Sequence, residues 1–281
     1  MKKHIQGRKI AYNVFIHALL IIFLVVALFP IYWMLNTSFK TDAELYRRIP
    51  TFFPKNPSIA GYVRLFDRTA FLQGLINSIK YALTVSLITI FFCMLAAYSI
   101  ARLKFKGSRI MSRSVLYAYL MPRTLMFIPM YLLAAGLGIL NTRLALIIIY
   151  PTFTIPYALW MLIAYFRTVP VEIEESAIID GCGPWRLMFS VFFPLVIPGI
   201  VSTFIFCFTL CWNEYLYALL MVTDSTLKTF PLILSDLMVD DLYAWGALMA
   251  GSVISCVPIL LMYSILSSRL TSGLTVGSVK G

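Results

Sequence analysis

Two long apolar runs are separated by a short polar stretch that contains Glu175-Ser176-Ala177-Ile178-Ile179-Asp180-Gly181. Together with Glu172 and Glu174 just before it, this stretch carries three glutamates and one aspartate. Unpaired carboxylates are too costly to bury in lipid. The stretch is therefore predicted to project into water between two membrane spans, and an ordered loop of this kind usually meets a partner.

The residues around this stretch predict a helix, a turn and a second helix at the membrane surface. Pro170 suits the first turn of a helix, and the glutamates that follow lie where the helix dipole favours negative charge. Gly181 and Gly183 are expected to end that helix, and Pro184 can begin the next one. We call this segment, about residues 167–194, the polar loop.

The composition of the whole chain is typical of an integral membrane protein. Hydrophobic residues make up 60% of it and charged residues only 12%, whereas a soluble domain is about a quarter charged. The formal net charge of +11 does not indicate nucleic-acid binding, because no base-stacking or groove-reading module fits between the spans. The basic residues instead cluster beside apolar runs, where they report membrane topology.

Six apolar runs are each close to the ~20 residues that cross a bilayer. The third is interrupted by Arg123, between Pro122 and Pro129, and irregular helices of this kind are tolerated where they face protein or a water-filled path. The predicted fold is an all-α integral membrane protein with six transmembrane helices in a single domain, residues 1–281. The runs cover about residues 14–36, 77–101, 114–136, 144–166, 195–220 and 246–268.

The distribution of lysine and arginine predicts that the N- and C-termini are cytoplasmic. Four basic residues lie in the N-terminal tail, and five basic residues with no acid follow the second span. The loop after the fifth span, about residues 222–245, carries four aspartates and Lys228, so it is expected outside. The first outer loop does not fit this distribution, because it carries six basic residues, although it also carries three acidic residues. This orientation places the polar loop in the cytoplasm.

No catalytic or metal-binding site is predicted. Cys207 and Cys211 lie on one helix face, but they are most simply interpreted as small core residues. The chain has no P-loop, metal motif or Ser/His/Asp set, so ATP would have to be hydrolysed elsewhere. We therefore expect neither an enzyme nor a cofactor-binding chain.

The spacing Glu-x-Ala-x3-Gly-x9-Val-x-Phe-Pro, from Glu175 to Pro194, resembles the EAA motif of ABC importer permeases. In that family the short helix docks in a cleft of an ATPase subunit. The departures are Ser176 for the usual first alanine, and Val191 and Phe193 for isoleucine and leucine, which are mild changes of size. The resemblance assigns coupling to the ATPase to five residues: Glu175, Ser176, Ala177, Asp180 and Gly181.

Elementary chemistry is consistent with that assignment. Ala177 is small enough to let a helix approach a partner closely, and Glu175 can pair with a basic residue of the partner. Gly181 supplies a turn that a Cβ atom would strain. The alternative interpretation is a solvated surface loop with ordinary helix caps.

Further stretches resemble the carbohydrate-uptake branch of these permeases, which have the type I importer (MetI-like) fold. They are Asn141-Thr142, Ile155-Pro156-Tyr157, Ile179-Asp180-Gly181, Pro194 through Gly199, Trp212-Asn213-Glu214-Tyr215 and Gly273 through Gly281. The resemblance covers nearly the whole chain beyond residue 30. It implies one half of a pore that carries a sugar or oligosaccharide across a bacterial inner membrane, in contact with membrane lipid.

The same resemblance implies four kinds of partner. These are a second homologous permease subunit, two ATP-binding ATPase subunits that hold ATP and Mg²⁺, an extracytoplasmic solute-binding protein, and the sugar substrate. The C-terminal tail, about residues 269–281, is expected to reach the ATPase subunits through Gly277, Lys280 and Gly281.

A candidate substrate path lies near the outer end of the fifth span, at Trp212, Asn213, Glu214 and Tyr215. Carboxylates and amides at membrane depth are functional candidates, and an aromatic ring beside hydrogen-bonding groups suits a sugar. The alternative is an interfacial belt whose polar groups pair between helices. Arg123 either pairs with Glu214 or another pore-lining group, or extends to a membrane interface.

Other functions remain open at this point. An ion-coupled secondary carrier would need membrane-embedded acids or broken helices in two related halves, but only Glu214 qualifies and no repeat is visible. An ABC permease for a non-sugar solute, such as a glycerol phosphate, is a further alternative. The neighbouring coding sequences would discriminate, because an importer needs a second permease and a binding protein.

Overall fold

The computed structural model describes the backbone of residues 2–103, 105–240 and 245–275, and the side chains of residues 12–103, 105–238 and 245–266. This part of the chain is helical, with no β-strand, which confirms the predicted all-α class. It divides into two compact units. Unit 1 runs to Thr69 and includes Asp236–Ile254, and unit 2 runs from Ala70 to Ser235 and resumes at Ser255.

Fifteen α-helices follow one another in the described chain. They are α1 (Lys2–Ser38), α2 (Asp42–Leu45), α3 (Ala60–Arg68), α4 (Phe71–Arg102), α5 (Ser108–Leu120), α6 (Phe127–Gly136), α7 (Arg143–Ile149), α8 (Pro151–Phe166), α9 (Val171–Ile179), α10 (Pro184–Arg186), α11 (Phe193–Leu195), α12 (Ile197–Trp212), α13 (Leu216–Met221), α14 (Phe230–Asp240) and α15 (Trp245–Thr275). A 3₁₀ turn, Arg123–Met126, precedes α6, and a π-helical segment, Leu187–Phe192, joins α10 to α11. A π-helical segment inside a helix often marks a functional site.

Four helical stretches of the described chain are long and apolar enough to cross a membrane: Tyr12–Ser38, Phe71–Arg102, Arg143–Phe166 (α7 with α8) and Trp245–Leu266. Two bent pairs bring the number of possible spans in the described chain to six, if each pair counts as one. Ser108–Leu120 and Arg123–Gly136 meet at 90°, and Pro184–Leu195 and Ile197–Trp212 meet at 75°.

Both bends have a local cause in the sequence. The first lies at Pro122, which cannot continue the hydrogen bonding of α5, so the predicted irregular third span is confirmed. The second lies at Val196, between Pro194 and Pro198. The predicted fifth run, about residues 195–220, does not form one helix, because α12 ends at Trp212 and α13 begins only at Leu216.

In unit 1, α2 and α3 are joined by the Arg64–Asp42 ion pair. Glu44 is buried and accepts hydrogen bonds from the Thr51 hydroxyl and the Lys55 amide. The Thr51 hydrogen bond lowers the pKa of Glu44, although burial of the carboxylate acts in the opposite direction. These contacts give Asp42 and Glu44 partners within the segment between α1 and α4.

The core of unit 2 forms where α4, α8 and α12 pack together. It includes Ala97, Leu162, Phe166, Phe192 and Cys207, each with 0% of its surface exposed. Cys211 is also buried, so the prediction that both cysteines are core residues is confirmed.

Gly199 lets α12 approach α8 closely. A Cβ atom placed on Gly199 would lie 2.5 Å from Cγ of Tyr165, well inside van der Waals contact. The nearest atoms are Cγ, Cδ1 and Cβ of Tyr165, so the clash can be relieved only if the whole tyrosine ring moves.

Gly199→Ala is therefore expected to destabilise the protein, by about 1–3 kcal/mol, the usual cost of overpacking a core. The measurement is the thermal midpoint of the purified protein in detergent. Gly136→Ala is the matched control, because nothing lies within 4 Å of a Cβ at that helical glycine, and alanine favours a helix over glycine. Equal midpoints for the two variants would contradict the close packing of α8 and α12.

Candidate functional site

The polar loop folds as the sequence predicts, into helix α9, a tight turn and a second helix. Gly181 has φ +79°, the left-handed conformation that a glycine adopts without strain. The Gly181 amide donates to the Ile178 carbonyl and the Cys182 amide to the Ala177 carbonyl, both at 3.0 Å, which closes the end of α9. Pro184 then begins α10.

A buried ion pair attaches α9 to the C-terminal end of α4. Nε of Arg102 lies 2.9 Å from Oε1 of Glu174, and the two side chains are only 8% and 10% exposed. The Tyr98 hydroxyl donates to the other oxygen of Glu174 at 3.3 Å. We call Tyr98, Arg102 and Glu174 the anchor.

Arg102 has two further contacts that hold it in place. Its guanidinium donates to the carbonyl of Val169, just before α9. Its Cζ atom also lies 5.0 Å from the centroid of the Phe192 ring, within the distance of a cation–π contact. The anchor therefore joins three parts of unit 2: α4, the start of α9 and the π-helical segment.

The residues predicted to couple the chain to an ATPase fall into two groups. Glu175, Ser176, Asp180 and Gly181 are exposed, whereas Ala177 is buried, and α9 packs against the segment Leu187–Phe192. In this conformation the small side chain of Ala177 lies on the inside of the loop. The coupling role of the five residues stays a prediction.

The structure also shows functional candidates that sequence reasoning missed. Ile178, Ile179 and Trp185 are 58%, 85% and 70% exposed, although they lie on a loop outside the apolar spans. Exposed apolar side chains rimmed by carboxylates mark a protein-contact surface. The signal in the sequence is the pair of isoleucines directly before Asp180, in a stretch that is otherwise acidic. Glu174 was missed as an anchor because Arg102 lies far away in the sequence.

The four residues of the predicted substrate path lie at the break between α12 and α13. Trp212 is 1% exposed and stacks on Phe208, with ring centroids 5.7 Å apart. Glu214 accepts hydrogen bonds from the amides of Tyr217 and Ala218, which caps the start of α13.

The other two residues of that set also have internal partners. The Tyr215 hydroxyl lies 3.0 Å from the Ser235 hydroxyl. Asn213 is exposed, with its amide nitrogen 3.0 Å from the Thr209 carbonyl. Asn213 is thus the member of the set that is open to a ligand in this conformation, and the substrate role of all four stays a prediction.

A cavity of about 480 Å³ lies elsewhere in unit 2, beside the break between α5 and α6. Its lining includes Tyr119, Arg123, Thr152, Phe153 and Tyr217. The Tyr217 hydroxyl donates to the backbone carbonyl of Arg123 at 3.1 Å, so the break is held in one place. The sequence located Arg123 as a charge in an interrupted span but did not predict this cavity.

The segment after α13, which was predicted to be an acidic outer loop, is held by side-chain hydrogen bonds. The side chain of Asn77 donates to the carbonyls of Thr226 and Lys228, and the Ser78 hydroxyl accepts from the amide of Phe230. Residues Phe230–Asp240 of the predicted loop form helix α14, whose apolar side chains are largely buried. The C-terminal residues Gly277, Lys280 and Gly281, predicted to contact the ATPase, lie outside the described residues.

Comparison with known proteins agrees with the predicted fold and family. Residues 89–272 match the family described as the binding-protein-dependent transport system inner membrane component. One relative is the inner membrane ABC transporter permease protein YcjP of Escherichia coli (strain K12), 36% identical over 93% of this chain and 94% of its own length.

A second relative is the trehalose/maltose transport system permease protein MalG of Thermococcus litoralis, 34% identical over 93% of this chain and 94% of its own length. The fold matches a chain from the crystal structure of a bacterial ABC transporter involved in the import of the acidic polysaccharide alginate. That match has a TM-score of 0.79 at 20% identity and covers 92% of this chain and 95% of the other. The chain therefore belongs to the family of binding-protein-dependent transport system inner membrane components, and the predicted membership among the ABC importer permeases is confirmed.

Proposed function

We propose that this chain forms half of the pore of an ATP-driven sugar importer. The observation that carries the proposal is the polar loop, which presents exposed isoleucines on α9, the helix anchored to the membrane helix α4, and an exposed tryptophan on α10. The name of the trehalose/maltose relative supports a sugar or oligosaccharide as the solute. A pore of this kind needs neither a catalytic residue nor a cofactor in this chain.

The proposed assembly contains four other subunits besides this one. A second homologous permease supplies the other half of the pore, and two ATPase subunits bind ATP and Mg²⁺ and hydrolyse the ATP. An extracytoplasmic binding protein delivers the solute, which is supported by the description of the family. The assembly lies in a bacterial inner membrane with the polar loop and both termini of this chain in the cytoplasm, as the basic residues predict.

The anchor gives a physical account of coupling. The ATPase subunit binds the exposed side of α9 at Ile179. When α9 moves, Glu174 moves with it. Arg102 must follow, because leaving either charge buried and unpaired costs several kcal/mol. Since Arg102 is the last residue of α4, the motion passes directly into a membrane helix.

The turn at Gly181 is the first point at which to test this account. Gly181→Asp places a Cβ in the left-handed region, which costs about 1–2 kcal/mol for an L-residue, and it adds a charge to the docking surface. We expect sugar uptake to fall by about 5- to 30-fold, the change that this energy corresponds to, while the protein still reaches the membrane. Uptake into cells that express the whole transporter is the measurement.

Gly183→Asp is the matched control for that variant. It adds the same charge two residues away, at a glycine with φ −70° and open space around its Cβ position. If both variants transport equally well, the left-handed turn has no part in coupling. If uptake is normal in Gly181→Asp, the coupling role of the loop is wrong.

Glu174→Gln tests the anchor itself. The substitution keeps the shape of the side chain but leaves the Arg102 guanidinium buried without its counter-charge, a loss of about 3–5 kcal/mol when one member of a buried pair is removed. We expect the assembled transporter to hydrolyse ATP but to import less sugar per ATP hydrolysed. Reconstituted complex in proteoliposomes allows both rates to be measured together.

The neighbouring Glu175→Gln serves as the control, because Glu175 is exposed while Glu174 is buried. The double variant Glu174→Gln/Arg102→Gln removes both charges and should lose less than the sum of the two single variants. Additive losses, or an equal effect of Glu175→Gln on the ratio of sugar to ATP, would exclude the anchor as the coupling element.

A further inference from the structure

The cavity beside the α5–α6 break has the size and the lining of a small-ligand site. At about 480 Å³ it falls within the ~300–1,000 Å³ that is typical of sites for small molecules. Aromatic rings line it at Tyr119, Phe153 and Tyr217. Tyr119 is itself held by Trp160, with ring centroids 5.4 Å apart and planes 5° from parallel.

Among the described residues that line this cavity, Arg123 is the one with a charged side chain. It lies at the bend of a candidate membrane span, where a charge is costly and is usually found facing a water-filled path. Its Cζ atom lies 5.3 Å from the centroid of the Phe153 ring. Phe153 therefore positions the guanidinium at the wall of the cavity.

No described residue accepts a hydrogen bond from the Arg123 guanidinium. Among the described residues, no carboxylate lies within 4 Å of it. Glu214 is near enough to interact with its charge. The oxygens of Glu214, however, accept hydrogen bonds from the backbone amides that begin α13. The pairing of Arg123 with Glu214 that the sequence left open is thus not formed, and the five N–H donors of the guanidinium are available to a ligand.

We propose that this cavity is a solute subsite that selects sugars carrying an anionic group, with Arg123 as the residue that binds that group. A carboxylate, sulfonate or phosphate accepts two parallel hydrogen bonds from a guanidinium, which a hydroxyl cannot match in charge or geometry. The aromatic rings contact the apolar face of the sugar ring. This inference rests on the proposed function, because it names the chemical class of the solute that the importer carries.

The test measures the charge preference of the cavity in the assembled transporter. Thr152→Cys places a thiol at an exposed position of the lining. The background variant has serine at Cys182 and Cys256, since the other three cysteines of the chain are buried. The complex in lipid nanodiscs is then modified with a negatively charged and, separately, a positively charged methanethiosulfonate reagent of similar size.

We expect the anionic reagent to react at least about tenfold faster than the cationic one, because one unit charge nearby is felt strongly at an effective dielectric constant of about 20. Arg123→Lys should keep that preference, and Arg123→Gln should abolish it. Millimolar D-glucuronate should slow modification of Thr152→Cys, whereas D-glucose at the same concentration should not. Equal rates for the two reagents, or equal protection by the two sugars, would overturn the proposal.

Two other occupants of the cavity give different results in the same preparation. If Arg123 binds an acid of the second permease, Arg123→Gln will release that subunit on purification and the proposal is wrong. If Arg123 binds an anionic lipid headgroup, the preference for the anionic reagent will appear in phosphatidylcholine nanodiscs and vanish in phosphatidylglycerol nanodiscs. That result also overturns the proposal. If the chain does not purify with an ATPase subunit at all, it is the proposed function that fails and not the assignment of the subsite.

Discussion

The buried ion pair between Arg102 and Glu174 is the contact on which the arrangement of the polar loop depends. A carboxylate buried beside apolar helices is stable only with a counter-charge and hydrogen bonds, and Glu174 has both, from Arg102 and Tyr98. The pair fixes the rotation of α9 about its own axis. Once Glu174 faces inward, Ile179, five residues further along the helix, points to the opposite side and faces the solvent, so a single electrostatic requirement determines which side of the helix is exposed.

The breaks in the membrane helices follow a related constraint, because backbone groups freed at a break need partners where water is scarce. The Arg123 carbonyl, released by the bend after α5, accepts from the Tyr217 hydroxyl. The amides at the start of α13 donate to Glu214. The first break is thus fixed by a side chain of α13, and the second by the side chain of Glu214 within the break itself.

Sequence patterns predicted the structural features that depend only on residues close together in the chain. Span lengths, the bend at Pro122 and the turn at Gly181 each follow from hydrophobic runs or from one residue's backbone preference. Contacts distant in the chain were not predictable in this way. The partner of Glu174 lies on α4, and Trp212 became a buried ring of the core because Phe208 and Phe230 close over it. From the sequence alone, a cluster of polar and aromatic residues fits a binding site and a helix cap equally well.

Helix α8 joins the two places where function is proposed. Near its start Phe153 lies under the Arg123 guanidinium, and at its end Phe166 contacts Phe192, with ring centroids 5.1 Å apart. Phe192 in turn lies under Arg102 of the anchor. A helix of 16 residues is about 24 Å long. Packed contacts at both of its ends thus connect the anchor to the wall of the cavity through one element of the fold.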